Sequence, residues 1–407
     1  MVTHIFVWLF VFTVPWQNML VLPGLGTVSS VLGIGAIGAT ILQVILRGRV
    51  RPLVPFHYFA TAFFLWVFLS AFWGVARHQS MLKDLNTYLQ VFIMLWMIWE
   101  ASPTAVRLIN LLQAYVLGTY VAAGSTIMNY ISGVGFREDA ERYAASGFDP
   151  NDLGSLLALG LPMAWYIASI TPHTSLRWLN RLYLIVGPVG ILLTGSRGAL
   201  LTAVVACAVV PLTLSQVRMG LRVAAVVIMI GAGVAAVQLV PESSFERLST
   251  TGSEISEGTL NNRLRIWKGG ISTVPARPLH GYGPAGWYPA VGLRIGNVAP
   301  HSTWLAVLVE EGLIGLFIYL GIFIAVAKRL FRLSTFDRRV GLNLLATLMM
   351  AMTPLGWNQN KASWLVLALL AAWGHVLTPS RQPESLVPPV RPSPRRPGRV
   401  APPVSVT

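Results

Sequence analysis

The chain has 407 residues, of which 54% are hydrophobic and 11% charged, with a mean hydropathy of +0.63 and a formal net charge of +15. Soluble domains carry roughly 25% charged residues, so an ordinary globular enzyme of the Rossmann or barrel type is excluded. The single cysteine, Cys207, also excludes a disulfide framework and a Cys-based zinc site. What remains is an all-α, polytopic membrane helical bundle.

A spanning helix needs about 20 mostly apolar residues. Twelve such stretches follow one another near 4–22, 27–46, 53–75, 84–100, 106–131, 152–171, 180–194, 199–214, 221–240, 301–327, 340–355 and 362–378. The first has no basic n-region and no A-x-A site, so it reads as a retained span. The expected organisation is nine spans over 1–240, a large extracytoplasmic loop of short helices over 241–300, three more spans over 301–378, and a disordered tail over 379–407. The tail is rich in Pro and Arg and cannot bury a core.

Basic residues are retained on the cytoplasmic side. With the N-terminus inside, the inside segments hold 18 of the 30 basic residues, from Arg47 to the five arginines of the tail, against Glu100, Asp337 and Glu384. The inside therefore carries the whole net charge. These residues are scattered over short loops and form no single patch, so a nucleic-acid partner is excluded. Both termini are expected to be cytoplasmic.

The loop at 132–151 contains Glu138, Asp139 and Glu141, which alternate with Arg137 and Arg142 and fit a solvated charged face better than a divalent-ion site. Arg197 stands in "LLTGSRGALL", where Gly195 and Gly198 permit a tight turn that leaves backbone N–H groups beside the guanidinium. That combination suits an anion; the alternative is an arginine snorkelling to headgroups. In the long loop, Leu260, Leu264, Trp267 and Ile271 have the spacing of one apolar helical face. Arg263 and Trp267 would be neighbours on that helix, with Arg265 and Lys268 directed elsewhere. A basic helix lying on anionic lipid has the same spacing. The following "PARPLHGYGPAGW" is a Pro/Gly-rich turn series.

His301 opens the tenth stretch, where a helix N-terminus favours the neutral ring. Glu310 and Glu311 lie about two and a half turns deeper and need partners or protonation. Interfacial hydrogen bonding by the histidine and helix-to-helix contact by the glutamates are the alternatives to chemistry. The sequence contains no H-E-x-x-H, Walker A, D-x-D or serine nucleophile elbow.

The order "GFDPNDLGSLLALGLPMA", "LLTGSRGALL", "NNRLRIWKGGISTVPARPLHGYGPAGW" and "HSTWLAVLVEEGLIGL" resembles the O-antigen ligase and polymerase superfamily of integral membrane glycosyltransferases, over roughly residues 145–330. The resemblance implies an enzyme that takes a glycan from undecaprenyl diphosphate on the extracytoplasmic face, without nucleotide sugar, metal or other cofactor. It implies catalytic roles for Arg197, Arg263 and His301, matching T-G-S-R-G, R-x-x-x-W and H-N. Arg265, Trp267, Asn151 and Glu310 are the expected substrate-binding residues. Ser302 departs from the pattern, standing where the family usually has Asn. The implied partners are the lipid-linked glycan donor and a lipid A-core or other glycan acceptor. A repeat-unit polymerase, a protein glycosyltransferase, a twelve-span transporter and a non-catalytic envelope scaffold are the competing readings. A transporter would have similar halves, and the long loop between the ninth and tenth stretches has no earlier counterpart.

Overall fold

The computed structural model describes residues 2–135, 142–227, 262–292, 295–296 and 298–378. The cluster at 136–141, most of the ninth apolar stretch, Leu260 and the tail lie outside the described residues. The rest is helical apart from one short antiparallel hairpin, β1 (Val21–Leu22) and β2 (Gly26–Thr27). In chain order the helices are α1 (Val2–Thr13), α2 (Val28–Arg47), α3 (Pro55–Ser70), α4 (His78–Ala101), α5 (Ala105–Ile131), α6 (Pro150–Ile170) and α7 (Thr174–Leu193). They are followed by α8 (Arg197–Cys207), α9 (Val209–Thr213), α10 (Arg263–Thr273), α11 (Thr303–Leu330), α12 (Thr335–Met352) and α13 (Lys361–Val376).

Among the described residues, seven helices are long and apolar enough to cross a membrane: α2, α3, α5, α6, α7, α8 with its continuation to Gln216, and α11. The region of α1 and α13 are shorter apolar helices. A helix that is apolar all round belongs in the centre of a bundle. α6 has 89% of its apolar window buried, and α13 is buried from Ala362 to Gly374. α2, with 22% buried, lies at the periphery.

Local signals set the helix ends. Thr27 caps α2 by accepting from the Ser30 N–H, and Gly48 closes it at φ 66°. Asp149 caps α6 by accepting from Asn151, with Pro150 in the first turn. Asn360 caps α13 through the Ala362 N–H.

α11 is interrupted. Gly312 has φ 69° and ψ −172°, a conformation foreign to a helix. The freed backbone groups are taken up by the P-L-H-G-Y-G segment: Tyr282 N–H donates to the Val309 carbonyl, Gly283 to Glu310, Leu313 to Pro278 and Ile314 to Leu279. Irregular backbone at membrane depth survives only where protein satisfies it in this way. A Cβ on Gly312 would lie 2.3 Å from the Leu279 oxygen, and one on Gly281 2.4 Å from the Glu310 oxygen. The turn series and the E-E-G sequence are therefore two halves of one backbone contact. Trp73 Nε1 donates to the His280 carbonyl and Trp66 Nε1 to that of Glu311, which ties α3 to the same break.

The helix expected around Arg263–Ile271 is present as α10, but its buried face differs from the expected one. Ile266, Gly270 and Thr273 point inward, while Leu264 (38% exposed) and Ile271 (58%) face outward. Gly270 explains the shift. A Cβ there would come within 2.8 Å of the Trp287 ring and 2.9 Å of Leu305, so the helix approaches its neighbours along a stripe that apolar periodicity does not register.

Candidate functional site

Alternate helix ends bring five segments to one face of the bundle: 142–152, 194–198, 262–273, the described parts of the loop before α11 (282–292 and 298–303) and 353–361. Asp149, Asn151 and Asp152 from the start of α6, Trp287, Tyr288, Pro300 and His301 from the loop before α11, Glu310 on α11, Asp84 on α4 and Leu355–Asn360 line a cavity of about 490 Å³.

The arginine corner comes from sequence-local geometry. Thr194, Gly195 and Ser196 form a turn in which Gly195 takes φ 55°, the Gly195 N–H donates to the Leu192 carbonyl, and the Ser196 hydroxyl accepts from the Ala199 N–H as the cap of α8. Arg197 is therefore the first residue of α8, half-buried at its N-terminus. Arg263 opens α10 after Asn262, which holds φ 66°. An added Cβ at Gly198 would sit 3.1 Å from Pro354 and 4.0 Å from Arg263 Nη1. Gly198 thus leaves the room in which the second arginine reaches the first one's turn. The Arg263 guanidinium therefore lies beside the N-terminus of α8, where free N–H groups and positive charge suit an anion.

His301 adjoins it. Its backbone takes φ 44°, a strained conformation more often found at functional positions. Several contacts fix that geometry. Trp267 Nε1 donates to the His301 carbonyl at 3.2 Å, and Thr303 Oγ1 donates to the Leu355 carbonyl at 2.7 Å while accepting from the Trp357 N–H at 2.8 Å. Burial, then the Arg263 charge, hold the imidazole below its usual pKa, opposed by Asp149. Burial likewise lowers Arg263, and Asp149 works against it. The neutral ring is favoured, as a proton acceptor requires.

α11 begins at Thr303 and not at His301: Ser302 is its cap, its hydroxyl accepting from the Leu305 N–H at 3.4 Å. Ser and Asn are equally good N-caps, which gives a physical reason for Ser302 at the position where the family pattern carries Asn.

The other expected residues divide. Asn151 Oδ1 accepts from Ser196 Oγ (2.8 Å) and Arg142 Nη2 (3.1 Å), while Arg142 Nε also donates to the Thr194 carbonyl, so Asn151 braces the arginine turn. Glu310 is buried and accepts from Asn358 Nδ2 (3.2 Å) and the Trp287 N–H (3.3 Å). Trp267 holds His301 through its backbone, as above. Arg265 is exposed and does not line the cavity. Glu311 is fully buried and faces α3 away from the cavity, with no hydrogen bond to its carboxyl oxygens among the described residues; the nearby Ser70 hydroxyl donates to Val67.

Sequence reasoning missed Asp149, Asp152, Asp84 and the 353–361 loop. Asp152 Oδ1 accepts from Trp357 Nε1 (2.8 Å) and Asp84 Oδ2 from Gln359 Nε2 (2.7 Å). The signal was present in the D-P-N-D run and in the amides of "GWNQN" between two apolar stretches, where polar side chains need a reason.

Residues 182–320 match the family model described as O-antigen ligase. That segment is similar to the O-antigen ligase family. It contains Arg197, Arg263, His301 and Glu310, and runs from within α7 to the middle of α11. Asn151, Asp84 and the 353–361 loop complete the cavity from outside it. Among curated proteins, none matches the chain.

Proposed function

We propose that the protein is a membrane glycosyltransferase that moves a glycan from undecaprenyl diphosphate to an acceptor hydroxyl on the extracytoplasmic face of a bacterial inner membrane. The bundle has twelve spans with both termini cytoplasmic, and residues 241–300 form the extracytoplasmic catalytic loop between the ninth and tenth. The observation that carries this reading is the approach of Arg263 to the turn bearing Arg197, with a strained His301 beside them at the rim of a polar cavity.

Arg197 and Arg263 grip the diphosphate, bidentate where geometry allows, and stabilise the charge that grows on it as the bond to the anomeric carbon breaks. The acceptor oxygen attacks that carbon from the opposite side, and His301 takes its proton. The C–O bond to the acceptor forms as the one to the diphosphate breaks, so the anomeric configuration inverts. A positioned base contributes about 10²–10⁴-fold. The reaction needs no metal, because the guanidinium pair supplies the positive charge. Asn151 and Trp267 hold the arginine turn and His301 in place, and Glu310 lines the acceptor side. Transfer of repeat units to a growing lipid-linked chain is the second reading, since a cavity of this kind takes either acceptor.

The experiment is reconstitution of the full chain with a lipid-diphosphate glycan and a panel of acceptors. Glycan transfer with release of free undecaprenyl diphosphate is expected, and the product identifies ligase or polymerase. Absence of release with lipid A-core, lipid-linked glycan and peptide acceptors alike overturns the reading.

A further inference from the structure

The end of α11 farthest from the catalytic cavity carries a cavity of its own. α11 has 28 residues, about 40 Å of helix, so its last turns lie across the bundle from His301. There Ile324, Lys328 and Arg332 follow one another at four-residue spacing, with Ala325 and Arg329 in the row beside them. Both rows line a cavity of about 280 Å³ whose opposite wall is Pro55 and Phe59 at the start of α3.

This cavity is apolar toward the middle of the bundle and cationic toward its end. An added Cβ at Gly321 would lie 2.5 Å from Phe59 Cδ1, so the Phe59 ring rests on α11 one turn before Ile324 and extends the apolar wall. Phe59 (42% exposed) and Ile324 (53%) both face out of the bundle. Arg329 is half-buried with its stem packed on α13, where a Cβ on Gly374 would come within 2.8 Å of the arginine's own. Lys328 and Arg332 are exposed.

Cations at a helix C-terminus complement its dipole, and cations at this end of the bundle follow the charge asymmetry. Neither reason requires three of them to meet at one apolar-walled cavity without an acid. Among the described residues the acids of this end are Glu100 and Asp337, and both are engaged: Glu100 by Arg47 and the Arg51 N–H, Asp337 by the Tyr166 and Ser334 hydroxyls. Lys328, Arg329 and Arg332 form no ion pair among the described residues. Their complement is an anion, and the wall of Phe59 and Ile324 calls for a hydrocarbon chain that free phosphate lacks. We infer that this cavity binds an anionic phospholipid of the surrounding leaflet, the cytoplasmic one on the proposed topology, with its phosphate among the three cations and an acyl chain along Phe59 and Ile324. Three cations exceed the charge of one phosphodiester, so diphosphatidylglycerol, with two, fits better than phosphatidylglycerol. Such a lipid bridges α3 and α11 at the end opposite the reaction, where it is a bound component and not a substrate.

Native mass spectrometry of the full chain in detergent, with lipids added one at a time, tests this. Wild type is expected to retain diphosphatidylglycerol most tightly, phosphatidylglycerol less and phosphatidylethanolamine least. Lys328→Gln combined with Arg332→Gln should weaken diphosphatidylglycerol binding about tenfold or more, with each single variant in between. Both side chains are exposed, so neither change disturbs the core. Arg177→Gln combined with Arg181→Gln removes the same charge from the start of α7, at the same end of the bundle, and should leave binding unchanged. An equal loss in that control, retention unaffected by the Lys328 and Arg332 changes, or a preference for phosphatidylethanolamine overturns the inference. The second measurement is the midpoint of thermal unfolding in detergent. Diphosphatidylglycerol should raise it in wild type and in the control, and that rise should be lost in the Lys328/Arg332 double variant. Inorganic diphosphate should cause no rise that the double variant removes; such a rise would make this a free-anion site and overturn the lipid assignment. Neither readout involves glycan transfer, so the outcome is independent of the proposed function.

Discussion

Arg197 and Arg263 reach one corner from two elements, and each offers a planar fork that a lysine lacks. Arg197→Lys keeps the charge but loses the two-bond grip on a phosphate. Its transfer rate should fall on the order of 10²-fold at unchanged protein abundance, the scale seen when one donor to a developing oxyanion is lost; a near-normal rate would make Arg197 a snorkelling or structural residue. His301 yields a pH signature whose sign is fixed by its surroundings. Burial and Arg263 favour the neutral ring, so the base is active above its pKa and lost below it. The rate should therefore rise with pH through an apparent pKa below about 6.5 and level off above it. In His301→Ala that acid limb should vanish; a limb that persists in the variant would assign it to another group. The local geometry around Arg197, Arg263 and His301 was legible because each stands in a motif with turn or cap chemistry around it. Asp149 was harder to see, since an Asp before Pro reads first as a helix cap, and it fills that role as well as facing Arg263 and His301. Arg265 is exposed on α10, and its spacing from Arg263 says nothing about which side of that helix is covered.

At the scale of elements, the break in α11 and the P-L-H-G-Y-G segment depend on each other through glycine. Gly312→Ala would place a methyl group 2.3 Å from the Leu279 oxygen on a backbone of φ 69°. A loss of about 2 kcal/mol or more is expected, read as a lowered midpoint of thermal unfolding in detergent. Gly38→Ala, inside α2 with open space around it, should cost nothing and gain up to about 1 kcal/mol. Equal midpoints for the two variants would contradict the role given to Gly312. The sequence carried the helices themselves, because a lipid-spanning run of apolar residues is a strong signal. It did not carry the pairing of the E-E-G and P-L-H-G-Y-G sequences, which is a contact between segments some thirty residues apart and has no periodicity. The inward face of α10 was hidden for a related reason: Gly270 packs by what it lacks.

For the whole molecule, the charge asymmetry is the basis of the proposed orientation. On the face opposite the cavity, Arg51 is tied down: its N–H donates to Glu100 Oε1 (2.6 Å), its guanidinium donates to the Trp99 and Ser102 carbonyls and lies 3.8 Å from the Trp99 ring, and Arg47 pairs with Glu100 at 3.1 Å. Part of the basic excess is thus built into the bundle and fixes the 47–55 turn to the end of α4. A reporter fused after Ser380 should be cytoplasmic and one inserted near Gly258 extracytoplasmic; the reverse pattern would move the proposed active face to the other side. Composition made the membrane class legible at once, whereas the cavity was not, because its walls come from α4, α6, α11 and three loops that meet only on folding. The most direct test of the chemistry is the rate of undecaprenyl diphosphate release from a lipid-linked glycan donor in the presence of EDTA, compared between wild type and His301→Ala. The expected result is one diphosphate released per glycan transferred at a rate indifferent to EDTA, with His301→Ala losing most turnover while still binding donor. Loss of release in EDTA with recovery on adding Mg²⁺ or Mn²⁺, or near-normal transfer by His301→Ala at saturating acceptor, would contradict it.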